Sequence, residues 1–351
     1  MKLADILEKT IEQNASDVFI VPGSPIEAKC QGRFIAISDE RVMPADSEEI
    51  LTDLYEYAKR DMSQLLDLGD DDFSFSMSQL GRFRISAYKQ RGSLAAVLRV
   101  VRFGLPDPVE MKIPTSVMNL ADQTRGLILV TGSAGSGKST TLACIIDRIN
   151  ESRAGHIITL EDPIEFVHRH KKSLVSQREV ANDTQSFSNA LRAALRQAPD
   201  VILLGEMRDF DTIQTAITAA ETGHLVLSSL HTVGAASTID RMIDVFPANQ
   251  QAQVRTQLSM VLKAVVSQQL VPAKDGGLLP VFEVMIATPA IQTLIRDGKT
   301  HQMDNVIFSG QAQGMMTMDN ELLKLYHAGK ITKETAQTHA VNAENLTRKL
   351  M

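Results

Sequence analysis

The chain has 351 residues, 44% of them hydrophobic and 22% charged, which is the composition of a folded globular protein and excludes disordered, collagen-like and coiled-coil chains. At about 150 residues per domain, this length allows two to three domains. The net charge of -6 gives no general positive field for phosphate backbones, so nucleic acid is not an expected partner. Two cysteines, Cys30 and Cys144, are too few for a disulfide framework or a four-cysteine zinc site, and they suit a reducing compartment.

The first residues, MKLADILEKTIEQ, carry acidic side chains from Asp5 onward and no continuous apolar segment, unlike a secretory signal. No stretch approaches the roughly 20 apolar residues that span a bilayer. We therefore expect a cytoplasmic protein that acts at a membrane only through partners.

Apolar residues at helical spacing open the chain and predict an amphipathic helix over residues 3–13. Short apolar runs bounded by glycine, proline or charged residues then predict half-buried strands. Residues 47–68 between them predict one or two helices, so residues 1–103 are predicted to form a small α+β domain. The predicted strand segments are DVFIV (17–21), GRFIAI (32–37), GRFRISAY (81–88) and AAVLRVV (95–101).

Residues 104–114, GLPDPVEMKIP, hold three prolines and a glycine and are predicted to be a linker. Strand and helix patterns then alternate over residues 115–351, which is typical of βαβ units around a parallel sheet. The segments PAIQTLIRDGK and MDNELLKLYHAGK predict that residues 272–351 are mostly helical. The predicted fold is therefore α/β, with a nucleotide-binding core after the small domain.

The strongest motif is GSAGSGKS, which follows the apolar strand LILVT and fits the P-loop pattern G-x-x-x-x-G-K-[ST] at every fixed position. Backbone N–H groups of such a loop point at phosphates, and the following helix adds partial positive charge. Lys138 is expected to reach the β and γ phosphates of ATP, and Ser139 is expected to ligate Mg²⁺. The predicted nucleotide-binding residues are Gly132, Ser133, Ala134, Gly135, Ser136, Gly137, Lys138, Ser139 and Thr140.

Two further apolar segments, HIITLED and DVILLGE, end in acidic residues. The carboxyl ends of parallel strands meet the nucleotide, so both acids are expected at the site. Glu206 is predicted to act on Mg²⁺, directly or through water, and Glu161 to orient or deprotonate the attacking water. The alternative is that either acid only caps the turn that follows it.

GHLVLSSLHT places His224 before and His231 after a fourth apolar segment. A zinc pair is not expected, because no cysteine or third histidine lies nearby at zinc spacing. His231 is predicted to contact the γ-phosphate or the water, with a plain hydrogen-bonded strand-end histidine as the alternative. Arginines of the first domain, including Arg84 and Arg99, either reach a γ-phosphate or lie on exposed strand faces.

Together these segments resemble the secretion ATPase superfamily, and most closely its type IV pilus retraction ATPases of the PilT type. The resemblance covers nearly the whole chain. It implies a PAS-like amino-terminal domain joined to a RecA-like ATPase domain in a hexameric ring. The segments that carry it are GSAGSGKSTTL, ITLEDPIEF, SQREV, VILLGEMRD, TAAETGH and GHLVLSSLHT.

By resemblance, the chain is expected to be an ATP-hydrolysing motor that powers pilus retraction and twitching motility at an inner-membrane platform protein. An accessory retraction ATPase is a further expected partner. The resemblance also implies that Arg84 and Arg99 reach a nucleotide, and that Glu161 and Glu206 form acidic boxes. His224 and His231 correspond to the histidine box. Which of the two glutamates is the base stays open.

Related assembly and type II secretion ATPases usually have an additional amino-terminal region and a four-cysteine zinc motif, so retraction is favoured over extension. An accessory retraction motor, an extension or secretion ATPase, a non-cycling regulatory ring and a DNA translocase are the alternatives. The retraction motif AIRNLIRE reads AIQTLIRD over residues 290–297 here. Its apolar residues keep helical spacing, so we expect residues 290–297 to form a helix. The retraction-specific role of this segment stays open.

Overall fold

The chain forms two units in the computed structural model, Met1–Gly104 and Leu105–Met351. The structure describes residues 2–30, 32–77, 80–101 and 104–350. Phe103, the last residue of the predicted first domain, lies outside the described residues. Each unit has its own sheet and core.

The first unit has an α+β fold. Its described helices and strands are α1 (Leu3–Glu12), β1 (Asp17–Ile20), β2 (Pro25–Cys30), β3 (Arg33–Arg41), α2 (Pro44–Ala58), α3 (Ser63–Leu68), β4 (Asp70–Met77), β5 (Gly81–Gln90) and β6 (Ser93–Val101). The strands form an antiparallel sheet in the order β3-β2-β1-β6-β5-β4. All four predicted strand segments are strands. The patterns do not predict β2 or β4, whose segments PIEAKC and DDDFSFSM are rich in charged residues.

Buried and more exposed residues alternate along β5, so one face of this sheet is turned toward the core. In β5, Phe83, Ile85 and Ala87 are buried, whereas Arg84 and Ser86 point the other way. The buried set packs with the apolar faces of α1 and α2 into one core cluster. The arginine-bearing face of the sheet is therefore the one turned away from that core.

The second unit contains a seven-stranded sheet. Its described strands are β7 (Gly126–Thr131), β8 (His156–Glu161), β9 (Leu174–Glu179), β10 (Val201–Leu204), β11 (Leu225–Leu230), β12 (Leu262–Pro272) and β13 (Leu278–Ile286). They lie in the order β13-β12-β7-β11-β10-β8-β9, and all neighbours are parallel except β12 and β13. Because consecutive parallel strands need crossovers, helices cover both faces.

The helices of this unit connect and cover the strands. They are α4 (Thr115–Met118), α5 (Lys138–Ser152), α6 (Phe187–Ala194), α7 (Phe210–Glu221), α8 (Ala235–Asp244), α9 (Ala248–Val261), α10 (Pro289–Arg296), α11 (Met303–Ser309), α12 (Met318–His327), α13 (Lys333–His339) and α14 (Ala343–Lys349), with short 3₁₀ turns at Asn119–Asp122, Thr300–Gln302 and Gln311–Gln313. Alternate residues of β7 enter different core clusters, Leu127 and Leu129 on one face and Ile128 and Val130 on the other. The predicted α/β class is confirmed.

Two segments differ from the sequence expectation. Residues 272–351 were expected to be mostly helical, and within them Leu278–Ile286 is a strand paired along its whole length with β12. It lies at the sheet edge, where Pro280 costs no ladder hydrogen bond to a further strand. The predicted linker also packs onto the second unit: Ile113 is buried, and the Pro106 carbonyl accepts from Cys144 Sγ at 3.3 Å.

A buried ion pair ties the end of α2 to β4 in the first unit. Asp71, 2% exposed, accepts from Arg60 Nη2 at 2.7 Å, Arg60 Nε at 2.8 Å and the Tyr55 hydroxyl at 2.9 Å. The guanidinium also lies over the Phe73 ring, 5.4 Å from its centroid. A paired, hydrogen-bonded carboxylate is the form in which a buried charge is tolerated, and removing its charge leaves the arginine uncompensated.

We therefore predict that Asp71→Asn lowers the free energy of unfolding of the first unit by about 2 kcal/mol, below the cost for fully buried pairs because Arg60 is partly exposed. Hydrogen exchange at the β4 and β5 amides measures the loss. Asp72→Ala, at the exposed neighbouring position, is the control. Equal protection in both variants would contradict the assigned role of Asp71.

Candidate nucleotide-binding site

The P-loop connects the buried strand β7 to the first turn of α5, and its glycines are required by geometry. Gly132 has φ +144° and Gly137 φ +89°, values that favour glycine. A Cβ on Gly132 would lie 2.1 Å from the Gln268 carbonyl oxygen, and one on Gly137 would lie 2.8 Å from Gln268 Nε2. Gln268, on strand β12, therefore leaves no room for a side chain at Gly132 or Gly137.

Lys138 begins α5 and is buried, with 8% exposure. Its Nζ donates to the carbonyl oxygens of Gly132 and Ser133, both at 2.9 Å. Burial lowers the pKa of its ammonium group, and the nearby carboxylates of Glu165 and Glu206 oppose that shift. Over the ranges the structure describes, Lys138 forms no direct ion pair, so its charge is held by neutral groups and is available to an anion.

Oxygen ligands lie beside the lysine. Ser139 Oγ donates to Glu165 Oε1 at 2.8 Å. Glu206 follows β10 after one glycine, and its Oε2 lies 2.6 Å from Arg208 Nε and 3.4 Å from His231 Nε2. Mg²⁺ favours one or two carboxylates together with substrate phosphates, and the hydroxyl and carboxylates here fit that requirement.

Glu161 is the last residue of β8 and lines the same cavity as Lys138, Ser139 and Glu206. Its Oε1 accepts from Thr159 Oγ1 at 2.6 Å and from Gln177 Nε2 at 3.1 Å. Burial raises the pKa of Glu161, the bonds from Thr159 and Gln177 lower it, and the charge of Glu165 raises it. A fixed carboxylate whose pKa lies above its ordinary value has the properties of a general base.

These side chains surround one open cavity of about 430 Å³ at the carboxyl edge of the sheet, a size typical of small-ligand sites. The parallel register of β7, β8, β10 and β11 brings their carboxyl ends to that edge. The charged, histidine and hydroxyl residues named above that line the cavity are Lys138, Ser139, Glu161, Glu165, Glu206, Arg208 and His231.

Three predicted residues lie elsewhere in the structure. His224 precedes β11 at the opposite edge of the sheet, where its Nδ1 lies 3.0 Å from the Ala219 carbonyl. His224 therefore does not line the cavity formed by the second unit, because β11 separates it from His231. Arg84 and Arg99 belong to the first unit, where they are cross-strand partners, and Arg99 pairs with Asp17 at 2.9 Å.

Four side chains of the site were missed by the sequence reasoning. Glu165 and Arg208 lie within the acidic segments ITLEDPIEF and VILLGEMRD, so their position next to a strand end was an available signal. Thr159 and Gln177 meet Glu161 because they are register partners on β8 and β9. No local pattern indicates that pairing, since it depends on the sheet order.

A P-loop, a buried lysine and acidic strand ends on a parallel sheet define the class of P-loop nucleotide-binding proteins. Residues 95–350 match the family described as type II/IV secretion system protein. The chain belongs to this family.

Relatives resemble the chain over its whole length. The type IV pilus retraction ATPase PilT of Pseudomonas aeruginosa is 43% identical, covering 98% of this chain and 100% of that protein. The type IV pilus ATPase PilU of the same organism is 41% identical, covering 99% and 90%. A crystal structure of the pilus retraction motor PilT with bound ADP has a TM-score of 0.90, at 43% identity and 99% coverage of both chains.

The described ranges contain no helix that is both long and apolar enough to cross a membrane.

We predict that the acidic limb of the pH profile of kcat/KM for ATP hydrolysis lies above the ordinary glutamate pKa, because burial raises the pKa of Glu161 and only the ionised form accepts a proton. Thr159→Val removes a hydrogen bond that lowers this pKa, so the limb should move to still higher pH. Thr215→Val, whose hydroxyl bonds the Asp211 carbonyl within α7, is the control. An unchanged limb in Thr159→Val would contradict Glu161 as the base.

Proposed function

We propose that this protein is an oligomeric ATPase motor, assembled as a hexameric ring, that powers type IV pilus retraction. One observation carries the proposal: a P-loop whose buried lysine lacks a carboxylate partner in the described residues opens onto the same cavity as Glu161 and Glu206. The full-length similarity to the retraction ATPase PilT supports pilus retraction as the process that this protein powers.

Nucleotide binding follows from the loop. The N–H groups of residues 132–140 bind the phosphates, and Lys138 exchanges its two carbonyl partners for the β and γ phosphates. Ser139, Glu165 and Glu206 would hold Mg²⁺, which when bound neutralises phosphate charge. The Ser139–Glu165 hydrogen bond keeps the hydroxyl ordered beside the loop.

Hydrolysis needs a base and a group that responds to the γ-phosphate. Glu161 accepts the proton as a water oxygen attacks the γ-phosphorus and the bond to ADP breaks. Glu206 holds His231 and Arg208 at one of its oxygens, and this arrangement supports a role for His231 in sensing the γ-phosphate. Arg84 and Arg99 are proposed to stabilise the growing phosphate charge when the domains close.

Force generation is proposed to come from rotation of one domain against the other about residues 104–114, a hinge-type cycle. The protein would then act at the cytoplasmic face of the inner membrane through a pilus platform protein. The altered segment 290–297 still forms helix α10 up to Arg296, with Ile291 and Ile295 buried, so this motif is kept as a structural element.

An accessory retraction motor is the second candidate. PilU is 41% identical to the chain, close to the 43% of PilT, so overall similarity does not separate the two roles. An extension or secretion ATPase is less favoured, because the chain is similar to PilT and PilU over nearly its whole length.

We predict that Lys138→Ala reduces ATP turnover at least about a hundredfold, since a preorganised cation is removed from the developing phosphate charge. Glu206→Ala should show a comparable loss. Steady-state phosphate release from the purified protein measures both, with Lys333→Ala on the exposed start of α13 as the matched control. Undiminished hydrolysis in both site variants would refute the motor.

Deletion in the producing cell separates the candidates. A retraction motor leaves cells piliated but unable to twitch, and the Lys138→Ala protein fails to restore twitching. An accessory motor leaves measurable retraction after deletion, and an extension ATPase leaves cells without pili; either result would overturn the first candidate.

A further inference from the structure

A row of four residues, three of them with buried polar side chains, crosses the carboxyl edge of the second sheet next to the loop after β11. The register pairs Glu283 with Ser267, Ser267 with Thr131, and Thr131 with Leu230. Glu283, Ser267 and Thr131 are 3%, 0% and 0% exposed. Thr131 directly precedes the P-loop, and Leu230 directly precedes residues 231–234, the histidine loop, so the row adjoins both segments of the site.

Two members of the row hold the first turn of α8. Ser267 Oγ accepts from the Gly234 N–H at 2.9 Å, and Glu283 Oε1 accepts from the Ala235 N–H at 2.8 Å. Gly234 precedes the helix with φ +91° and has no side chain, so it cannot cap the helix itself. Glu283 therefore supplies the cap from another strand, and a carboxylate is favoured there by the helix dipole.

Threonine side chains also hold the loop between β11 and α8. Thr238 Oγ1 lies 2.7 Å from Thr232 Oγ1 and 3.5 Å from Thr131 Oγ1. Thr238 also donates to the Gly234 carbonyl at 2.8 Å. Only three residues separate His231 from α8, so a shift of the first turn of this helix would move the histidine.

The second oxygen of Glu283 bonds a different part of the unit. Its Oε2 accepts at 3.3 Å from the N–H of Met318, the first residue of α12. The neighbouring Val284 exchanges two backbone hydrogen bonds with Met316, at 2.8 and 3.1 Å. Met318 and Leu322 then enter the core cluster of the carboxy-terminal helices. One carboxylate thus joins the histidine loop to those helices.

A carboxylate suits both bonds, whereas an amide does not. Two N–H donors from different helices need two acceptor oxygens, and glutamine would turn its own N–H₂ toward one of them. An ordinary single cap needs no buried acid, as Thr317 shows for α12 and Thr288 for α10. Burying a charge costs several kcal/mol, so Glu283 is an expensive choice for a cap alone.

We propose that Glu283 is a positioning residue for ATP hydrolysis: through Ala235 it holds His231 beside Glu206, and through Met318 it makes that position depend on the carboxy-terminal helices. The inference rests on the proposed function, because it requires that the site hydrolyses ATP.

The test uses the full-length protein and the variants Glu283→Gln, His231→Ala, their combination, and Asp200→Asn as the control. Asp200 is also a carboxylate that accepts from a backbone N–H, that of His156, at 2.8 Å. It directly precedes β10, so this bond lies at the amino edge of the sheet, opposite the cavity. Steady-state hydrolysis gives kcat and KM, and a fluorescent ADP analogue gives nucleotide affinity.

Glu283→Gln should lower kcat about ten- to a hundredfold and change nucleotide affinity less than about twofold, because a displaced catalytic group costs rate rather than binding. Asp200→Asn should keep the wild-type kcat. The double variant should be no slower than His231→Ala alone, since both changes act through one histidine.

Equal kcat for Glu283→Gln and Asp200→Asn, or losses that multiply in the double variant, would overturn the proposal. Ala235→Pro gives a second route if Glu283→Gln does not fold, because proline at the first helical position keeps the helix but removes the N–H. This variant should reproduce the loss of kcat, and wild-type kcat in it would also overturn the proposal. An inactive wild-type protein would instead refute the proposed function.

Discussion

The site depends on the parallel register of β7, β8, β10 and β11, which brings four carboxyl ends to one edge of the sheet. The strand ends carry the P-loop, Glu161, Glu206 and His231, which are up to about a hundred residues apart in the chain. Lys138, buried and bonded only to carbonyls within the described residues, then places at this edge a positive charge that forms no direct ion pair there. An anion is the natural ligand for such a charge, and glycines leave room for phosphates beside it.

Local patterns predicted much of this arrangement. The P-loop, the acidic strand ends and the alternation of strands and helices are short-range features, and the structure contains them. Glu165, Thr159 and Gln177 were missed because their roles depend on side-chain direction and on the β8–β9 pairing. For His224 the local motif predicted a place at the site. The six-residue strand β11 lies between His224 and His231, so His224 lies at the opposite edge of the sheet.

The carboxy-terminal region shows why edge strands are hard to predict. The segment LLPVFEVMI contains proline and no clear alternation, so the helical patterns after it dominate the expectation. Its pairing with β12 places Glu283 opposite Ser267, and sequence gives no sign of that partner. Strand β13 thus forms the edge of the sheet, and its Glu283 bonds both the first residue of α8 and the first residue of α12.

A crystal structure with Mg²⁺ and a non-hydrolysable ATP analogue would show whether this edge of the sheet binds the nucleotide. We expect Lys138 Nζ to leave the carbonyls of Gly132 and Ser133 and contact the β and γ phosphates, and the Ser139 hydroxyl to leave Glu165 for the metal ion. Phosphates bound away from the loop, with both Lys138–carbonyl bonds intact, would contradict this expectation.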